Sequence, residues 1–415
     1  MTNSSSPSAS HGFNQVAVIG AGTMGRGIAM SFLNAGISVT LVDVGQEALD
    51  QGVAAIHQTY EQMMAKERID QAGMEQRLAQ LRTATDYSEI REVDLAIEAV
   101  YENLALKQKI FSQLDTSLKA DAVLATNTSY LDVDAIANAT QRPQQVLGLH
   151  FFSPAHIMKL LEIVRGAKTA PEVLARAQTL AKQIKKVAVV AGNCHGFIGN
   201  RMLAPYVHQA RMLLLEGALP QQVDRALESF GMAMGPFRMY DVVGVDLEWR
   251  ARQMAGTPSD ISVWLDDRLC EMGRFGQKSG QGYYRYETGS RTAIPDPQVE
   301  ALVAKASEAA GIERRDISDD TIVTRCILAL INEGAKILDE GIAGSSADID
   351  TVYLNGYGFP AERGGPMAYA DSLGLQQVLA EIQALQRQHG DVWQPAALLQ
   401  RLAEQNGRFA DYRTS

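Results

Sequence analysis

Cysteine is scarce in this chain. Cys194, Cys270 and Cys326 are the only three, they lie far apart, and none sits in a metal-ligand or redox spacing. No metal site is therefore expected, and the pattern suits a reducing compartment. Long apolar runs are missing too, so no segment is expected to cross a bilayer. Positive charge is in deficit. With 38 Lys and Arg against 48 Asp and Glu, the formal net charge is −10. That balance argues against a nucleic-acid or anionic-membrane partner, and an anionic ligand would need a local basic patch. The first eleven residues are rich in Ser and carry no Lys, no Arg and no apolar core. A disordered tail is expected there, not a signal or transit peptide. The final Tyr412-Arg413-Thr414-Ser415 is not the Ser-Lys-Leu peroxisomal address. The expected location is the cytoplasm.

The chain does have length. Nearly half of its 415 residues are apolar, enough for a sizeable core in two or three domains. Its organising stretch is Val16 to Gly25, an apolar β-branched run that ends in Gly20-Ala21-Gly22-Thr23-Met24-Gly25. The spacing is G-x-G-x-x-G, and a helical apolar pattern through Ile28, Phe32 and Leu33 follows. Gly20 permits a tight turn, Gly22 lets a pyrophosphate approach the backbone, and Gly25 lets helix and strand pack closely. The helix N-terminus offers free N–H groups to the phosphates. A second strand pattern, Ser38 to Val42, ends in Asp43, placed where a ribose-binding carboxylate belongs. Val44 and Gly45 supply no cation for a 2′-phosphate, so NAD is favoured over NADP. The other reading is an ordinary βαβ turn with a strand-end aspartate.

Further along, a helical stretch from about Gln46 to Gln80 carries Lys66 and Arg68 near a helix–helix turn. They are either ligand contacts or a solvated helix end. The buried strand pattern Asp94 to Val100 includes Glu98, and Lys107 lies in the next helix. Carboxyl ends of strands face the ligand crevice in an open α/β sheet, so these two are cofactor contacts or else a surface pair. Thr126, Asn127, Thr128 and Ser129 follow the next strand and suit substrate or nicotinamide contacts, or a helix cap with Asp132. His150 ends the strand from Gln145, and Glu162 lies in the apolar run Leu160 to Val164. A carboxylate there is costly to bury without a partner. His150 and Glu162 form either a general base with its orienting carboxylate or a structural pair. His156 and His195 are rivals that end no strand.

A helix from about Pro171 to Lys185 and a strand over Val187 to Val190 close the first domain. Gly192 to Gly196 is a hinge, and a helix is expected from about Gly196 to Glu216, interrupted by Pro205 and stopped by Gly217. From there the chain repeats itself. Arg201 to Gly217 aligns with Arg325 to Gly341. Gly235-Pro236, Asp241 and Gly244 recur at identical spacing as Gly365-Pro366, Asp371 and Gly374. The pattern predicts two copies of one helical domain. The expected organisation is a tail over 1–11, a dinucleotide domain over 12–192, a helical domain over 193–290, a linker over 291–318 and a degenerate second copy over 319–415.

Together these stretches resemble the 3-hydroxyacyl-CoA dehydrogenase family. The resemblance spans nearly the whole chain after the tail, and is to the dehydrogenase half of the multifunctional fatty-acid β-oxidation enzymes, without their enoyl-CoA hydratase domain. It rests on Gly20 to Gly25, Thr126 to Ser129, Gly148 to Pro154, Leu160 to Val164, Gly196 to Arg201 and Gly280 to Tyr284. It implies an α/β Rossmann-type NAD-binding domain followed by two tandem all-α domains. It implies His150 as catalytic base, Glu162 as its orienting partner, and Ser129 and Asn200 on the reacting oxygens of an acyl-CoA thioester. Asp43 would hold the adenosine ribose, and Glu98, Lys107, Ser129 and Lys278 would lie near the NAD. Lys66 would be a CoA contact. Ser153 stands where many members carry Asn, which weakens its transfer as a cofactor contact. The reaction implied is oxidation of (S)-3-hydroxyacyl-CoA to 3-ketoacyl-CoA. Two alternatives are another NAD-dependent 3-hydroxy acid dehydrogenase, a group that typically uses a catalytic lysine, and a non-catalytic NAD-binding protein. The second copy is expected to fill the place of a partner subunit, with Ile327, Leu328, Ile331 and Leu338 packed on the first. That predicts a monomer with an internal pseudo-dimer, with dimerisation through other surfaces left open.

Overall fold

The computed structural model describes residues 12–256 and 260–413. The expected tail over 1–11 lies outside them. The chain forms two compact units. One runs to Gly199 and also takes Glu340–Gly356; the other comprises Asn200–Asp339 and Tyr357–Arg413.

The first unit is built on an eight-stranded sheet: β1 (Gln15–Ile19), β2 (Ser38–Val42), β3 (Leu81–Ala84), β4 (Leu95–Glu98), β5 (Val123–Thr126), β6 (Val146–Phe151), β7 (Leu160–Arg165) and β8 (Val187–Gly192). Their spatial order is 3-2-1-4-5-6-7-8. All neighbours are parallel except β6 and β7, which are antiparallel. The parallel crossovers run through α1 (Thr23–Leu33), α2 (Gln46–Ala65), α3 (Gln71–Leu78), α4 (Leu104–Ser117), α5 (Val133–Ala137) and α6 (Pro171–Gln183). Alternation sorts the two faces. Val16 and Val18 of β1 join a core with α1 and α6, while Ala17 and Ile19 join one with α4. Strand β3 was not expected. It is short and only its last residue is buried, so it carries little period-2 signal. The expected helix–helix turn does separate α2 from α3, and Lys66 and Arg68 are exposed on it.

The chain continues through α7 (Gly199–Glu216), α8 (Pro220–Phe230), α9 (Pro236–Val243), α10 (Asp246–Ala255), α11 (Trp264–Glu271), α12 (Pro297–Ala309), α13 (Asp319–Asp339), α14 (Ser346–Gly356), α15 (Pro366–Leu373), α16 (Leu375–His389) and α17 (Ala397–Glu404). Helix α7 passes through Pro205 and starts three residues later than expected, because Gly196 and Phe197 have positive φ. Helix α12 lies within the expected linker, whose sequence carries a helical pattern to about Ala310.

Two observations carry the repeat into three dimensions. Asp241 on α9 accepts the N–H groups of Tyr283 and Tyr284, and its equivalent Asp371 on α15 accepts those of Phe409 and Ala410. Each aspartate ties a helix to a later turn in its own copy. The copies also pair reciprocally. Arg201 Nε meets Glu333 Oε1 at 2.8 Å, and the equivalent Arg325 meets Gln209 Oε1, at 2.8 Å through Nη2. Residue i on j, with j's counterpart on i's, is the signature of a two-fold interface. Helix α13 packs on α8 of the first copy, and Ile327, Leu328, Ile331 and Leu338 are buried. Residues 340–356 depart from this scheme. They lie in the first unit, where Ala343 bridges Ala191 at the end of β8.

Asp224 on α8 supports α9 by accepting N–H bonds from Phe237 and Arg238, and it also accepts from the Tyr284 hydroxyl. Burial pushes its carboxyl up to about 7, against the pull of those donors. The folded chain therefore holds a proton there that the unfolded chain, with the ordinary value of 3.8, has released. The stability this adds is full below the unfolded value and is lost as pH rises through the folded one. Between those two values, the stability of the unmodified chain relative to Asp224→Asn should fall steadily with pH. Unfolding followed over that range measures it, and a pH-independent difference would refute it.

Candidate active site

Parallel register sets the carboxyl ends of the central strands abreast. Ile19 pairs with Glu98, and Glu98 with Thr126. The glycine loop follows Ile19. Gly20 has φ +106°, and a Cβ there would lie 2.9 Å from the Ala99 carbonyl. A Cβ on Gly25 would lie 1.8 Å from the Gly20 carbonyl oxygen. Gly22, by contrast, faces open space, with nothing within 4 Å of an added Cβ. Helix α1 begins there with no side-chain cap, so its first N–H groups remain for a ligand's phosphates. Arg26 lies in the first turns and donates to Thr23 Oγ1. It adds the local positive charge that the acidic chain needs for an anion, and it went unnoticed in the sequence. Asp43 accepts from the Ala21 N–H at 2.9 Å and the Gly45 N–H at 3.3 Å. Both donors are backbone groups. Glycine loop, uncapped helix and acidic strand end together fit a dinucleotide with a free 2′-hydroxyl.

Glu98 and Lys107 were expected beside the NAD or on the surface. Both are buried, and Lys107 Nζ lies 2.7 Å from Glu98 Oε1. Glu98 also accepts from the Val100 N–H and the Thr126 hydroxyl. Their charged atoms are spent on each other and on the strand ends, so the surface reading fails and the pair acts inward. The sequence reading overlooked Glu102. It sits 3.4 Å from Lys107 Nζ and accepts from the Thr128 hydroxyl and from the N–H groups of Ser129 and Tyr130. Lys107 and these bonds hold the Glu102 carboxyl below its ordinary value, against the opposing effect of burial. Only its place in the loop just before α4 and Lys107 could have signalled it. Ser129 is thereby fixed through its backbone, and its hydroxyl has no partner among the described residues.

Antiparallel register sets His150 of β6 directly opposite Glu162 of β7. Nδ1 lies 2.7 Å from Glu162 Oε2, and both side chains are buried. The carboxylate accepts, so Nδ1 carries the hydrogen and Nε2 keeps its lone pair in the neutral ring. Nε2 has no partner among the described residues. The other Glu162 oxygen accepts the N–H groups of Ile198 at 3.2 Å and Gly199 at 2.9 Å. The rings of Phe152 and Phe197 flank the imidazole, with centroids 4.5 and 5.7 Å away. Asn127 braces the adjacent strand by accepting the Phe151 N–H. The rival histidines lack such a carboxylate: His156 is half-buried, and burial together with Lys186 lowers its pKa, while His195 is exposed and stacks on Tyr130. Ser153 is exposed after β6.

Asn200 and Lys278 belong to the second unit. Asn200 Oδ1 accepts from the Tyr357 hydroxyl at 2.8 Å. Lys278 is half-exposed and ion-paired with Asp246. Among the described residues no three His, Cys, Asp or Glu side chains converge as metal ligands.

Two family models match this chain. The model of the 3-hydroxyacyl-CoA dehydrogenase NAD binding domain matches residues 15–194, and that of the C-terminal domain matches twice, at 196–286 and 322–410. The chain belongs to the 3-hydroxyacyl-CoA dehydrogenase family. Residues 15–194 are that family's NAD-binding domain, and 196–286 and 322–410 are its C-terminal domain in tandem. Among curated relatives, a peroxisomal bifunctional enzyme of Danio rerio is 46% identical over 93% of this chain and 55% of its own length. The chain thus spans about half the length of the curated relatives it matches. Two solved dehydrogenase structures are similar over most of it, each at 28% identity. The 3-hydroxybutyryl-CoA dehydrogenase of Escherichia coli has a TM-score of 0.82, covering 95% of this chain and 99% of that one. The dehydrogenase part of multifunctional enzyme 1 from C. elegans has 0.70, covering 94% and 90%.

The buried Glu98–Lys107 pair yields a quantitative expectation. Lys107→Met leaves Glu98 charged, dry and unpaired, which should cost about 3–5 kcal/mol of stability. Adding Glu98→Gln should recover most of that loss in a urea unfolding experiment. A fully additive double variant would show that the two charges do not act as a pair.

Proposed function

We propose that this dehydrogenase oxidises (S)-3-hydroxyacyl-CoA thioesters to 3-ketoacyl-CoA with NAD, in fatty-acid β-oxidation or related acyl-CoA metabolism. One observation carries the reading: a buried histidine, oriented by a buried carboxylate and unpartnered at Nε2, sits at the strand ends of an NAD-binding domain. NAD, held by the glycine loop and Asp43, would supply the hydride acceptor for C3 of the substrate.

The chain's own residues do the rest. Neutral His150 takes the 3-hydroxyl proton at Nε2 as the hydride leaves. Glu162 holds the Nδ1 hydrogen and offsets the imidazolium charge that develops. Ser129 and Asn200 donate to the reacting oxygens, and Lys66 contacts the CoA. Asp43 takes the ribose hydroxyls and, uncompensated by a cation, disfavours NADP. Lys278 and Ser153 are cofactor contacts in this reading. The curated relatives are named as peroxisomal enzymes, and three free cysteines fit any reducing compartment. We propose the cytoplasm for this chain, and fractionation of a cell expressing it decides the point.

NADH oxidation followed with acetoacetyl-CoA tests the activity, and inactivity with the thioester alongside turnover of the free acid would overturn it. Replacing His150 with Gln should leave NADH binding intact and slow turnover by roughly 10²–10⁴. Oxidation should speed up with pH as the imidazole loses its proton, and reduction should slow down over the same range. Parallel profiles in the two directions, with chemistry rate-limiting, count against His150.

The helical unit contains both halves of its two-fold interface, so we propose a monomer with one active site. Sedimentation should give a single-chain mass. Asn200→Ala should impair turnover, whereas Thr324→Ala, at the equivalent place in the second copy, should leave it unchanged. Equal damage from the two would contradict the division of labour.

A further inference from the structure

The turn that serves Glu162 is strained. Gly196 has φ +76° and Phe197, a buried aromatic, has φ +51°. A bulky residue is rarely found in that left-handed region and stays there only when its surroundings leave no alternative. The strain has a product. After two left-handed residues the N–H groups of Ile198 and Gly199 point the same way, and both meet one Glu162 oxygen. Something must hold the turn. At its far end the Gly199 carbonyl accepts from the Tyr353 hydroxyl at 3.2 Å. At its near end stands Asn193. Its Oδ1 accepts the Val133 N–H at 3.1 Å, and its Nδ2 donates to Asp132 Oδ1 at 2.6 Å and to Asp134 Oδ2 at 2.8 Å. One amide thereby closes three bonds to the N-terminus of α5. That terminus is itself anchored, because Asp134 Oδ1 accepts the Ala167 N–H in the connection after β7.

We propose that Asn193 is a positioning residue for the acid/base pair, pinning the strained turn that delivers two N–H donors to Glu162. The proposal rests on the reading of His150 and Glu162 given above. Without the amide, two neighbouring carboxylates lose their shared donor and Val133 loses its acceptor. The turn is then free to relax, and Glu162 loses the bonds that aim its other oxygen at Nδ1. The glycine loop and Asp43 make none of these contacts, so cofactor binding is spared.

A double-mutant cycle tests this with the full chain, NADH and acetoacetyl-CoA. Asn193→Ala should lower kcat by about 10- to 100-fold, the scale on which small misplacements act, with the NADH dissociation constant unchanged. In a Glu162→Gln background the same change should cost little more, because its effect already runs through Glu162. Its pH profile should also move toward that of Glu162→Gln. Equal factors in both backgrounds, an unmoved profile, or no loss at all would overturn the role. If the alanine variant does not fold, Asn193→Ser, which keeps one hydroxyl, goes through the same cycle with a smaller expected loss. If Glu162→Gln alone leaves kcat intact, the acid/base reading falls and this role falls with it. If Glu162→Gln cripples turnover and the Asn193 factor persists undiminished beside it, only the positioning role falls.

Discussion

A carboxylate shut away from water must find donors for its lone pairs, and the first unit is arranged around meeting that demand for Glu162. Its side chain is wholly buried, so each missing partner would be costly. Supplying them dictates much else. The sheet reverses direction between β6 and β7 so that histidine and glutamate stand opposite each other. The chain leaving β8 accepts left-handed backbone so that two N–H groups reach the second oxygen. The same bonds that satisfy the carboxylate fix the ring's tautomer.

Side-chain carboxyl groups serve as fasteners elsewhere as well. Glu98 and Lys107 lock the ends of β4 and β5, and Glu102 gathers three donors from the loop that carries Ser129. In the helical unit Asp224, Asp241 and Asp371 each take two successive N–H groups. Asp43 is different. It is only half-buried and bonded to backbone alone, as suits a carboxylate kept for a ligand.

What could be read from the sequence follows from how locally it is encoded. The glycine loop, Asp43 and the Rossmann-type order depend on spacing within one βαβ unit, and the helical repeat depends on self-similarity. The pairing of His150 with Glu162 was legible because an acid in an apolar strand demands a partner. Glu98 and Lys107 were found, but their burial was not, since nothing in the residues themselves says whether an ion pair faces in or out. Glu102 and Asn193 were overlooked because each is defined by hydrogen-bond partners that reach it from another part of the fold. Strand β3 lacked alternation, and the departure of residues 340–356 from their own copy depends on tertiary contacts that no local pattern records.

The reciprocal bonds of Arg201 with Glu333 and Arg325 with Gln209 mark an interface of the kind that usually joins separate subunits. Here both sides share one backbone. Their meeting is unimolecular, so dilution cannot separate the two copies. A symmetric pair of subunits must also keep every residue suited to two places at once. Once tethered, each copy answers only to its own side. Gln209 and Glu333 already differ at equivalent positions, and Tyr353 and Tyr357 in the second copy serve Gly199 and Asn200 in the first. Covalent linkage has turned a symmetric contact into one with a working half and a supporting half.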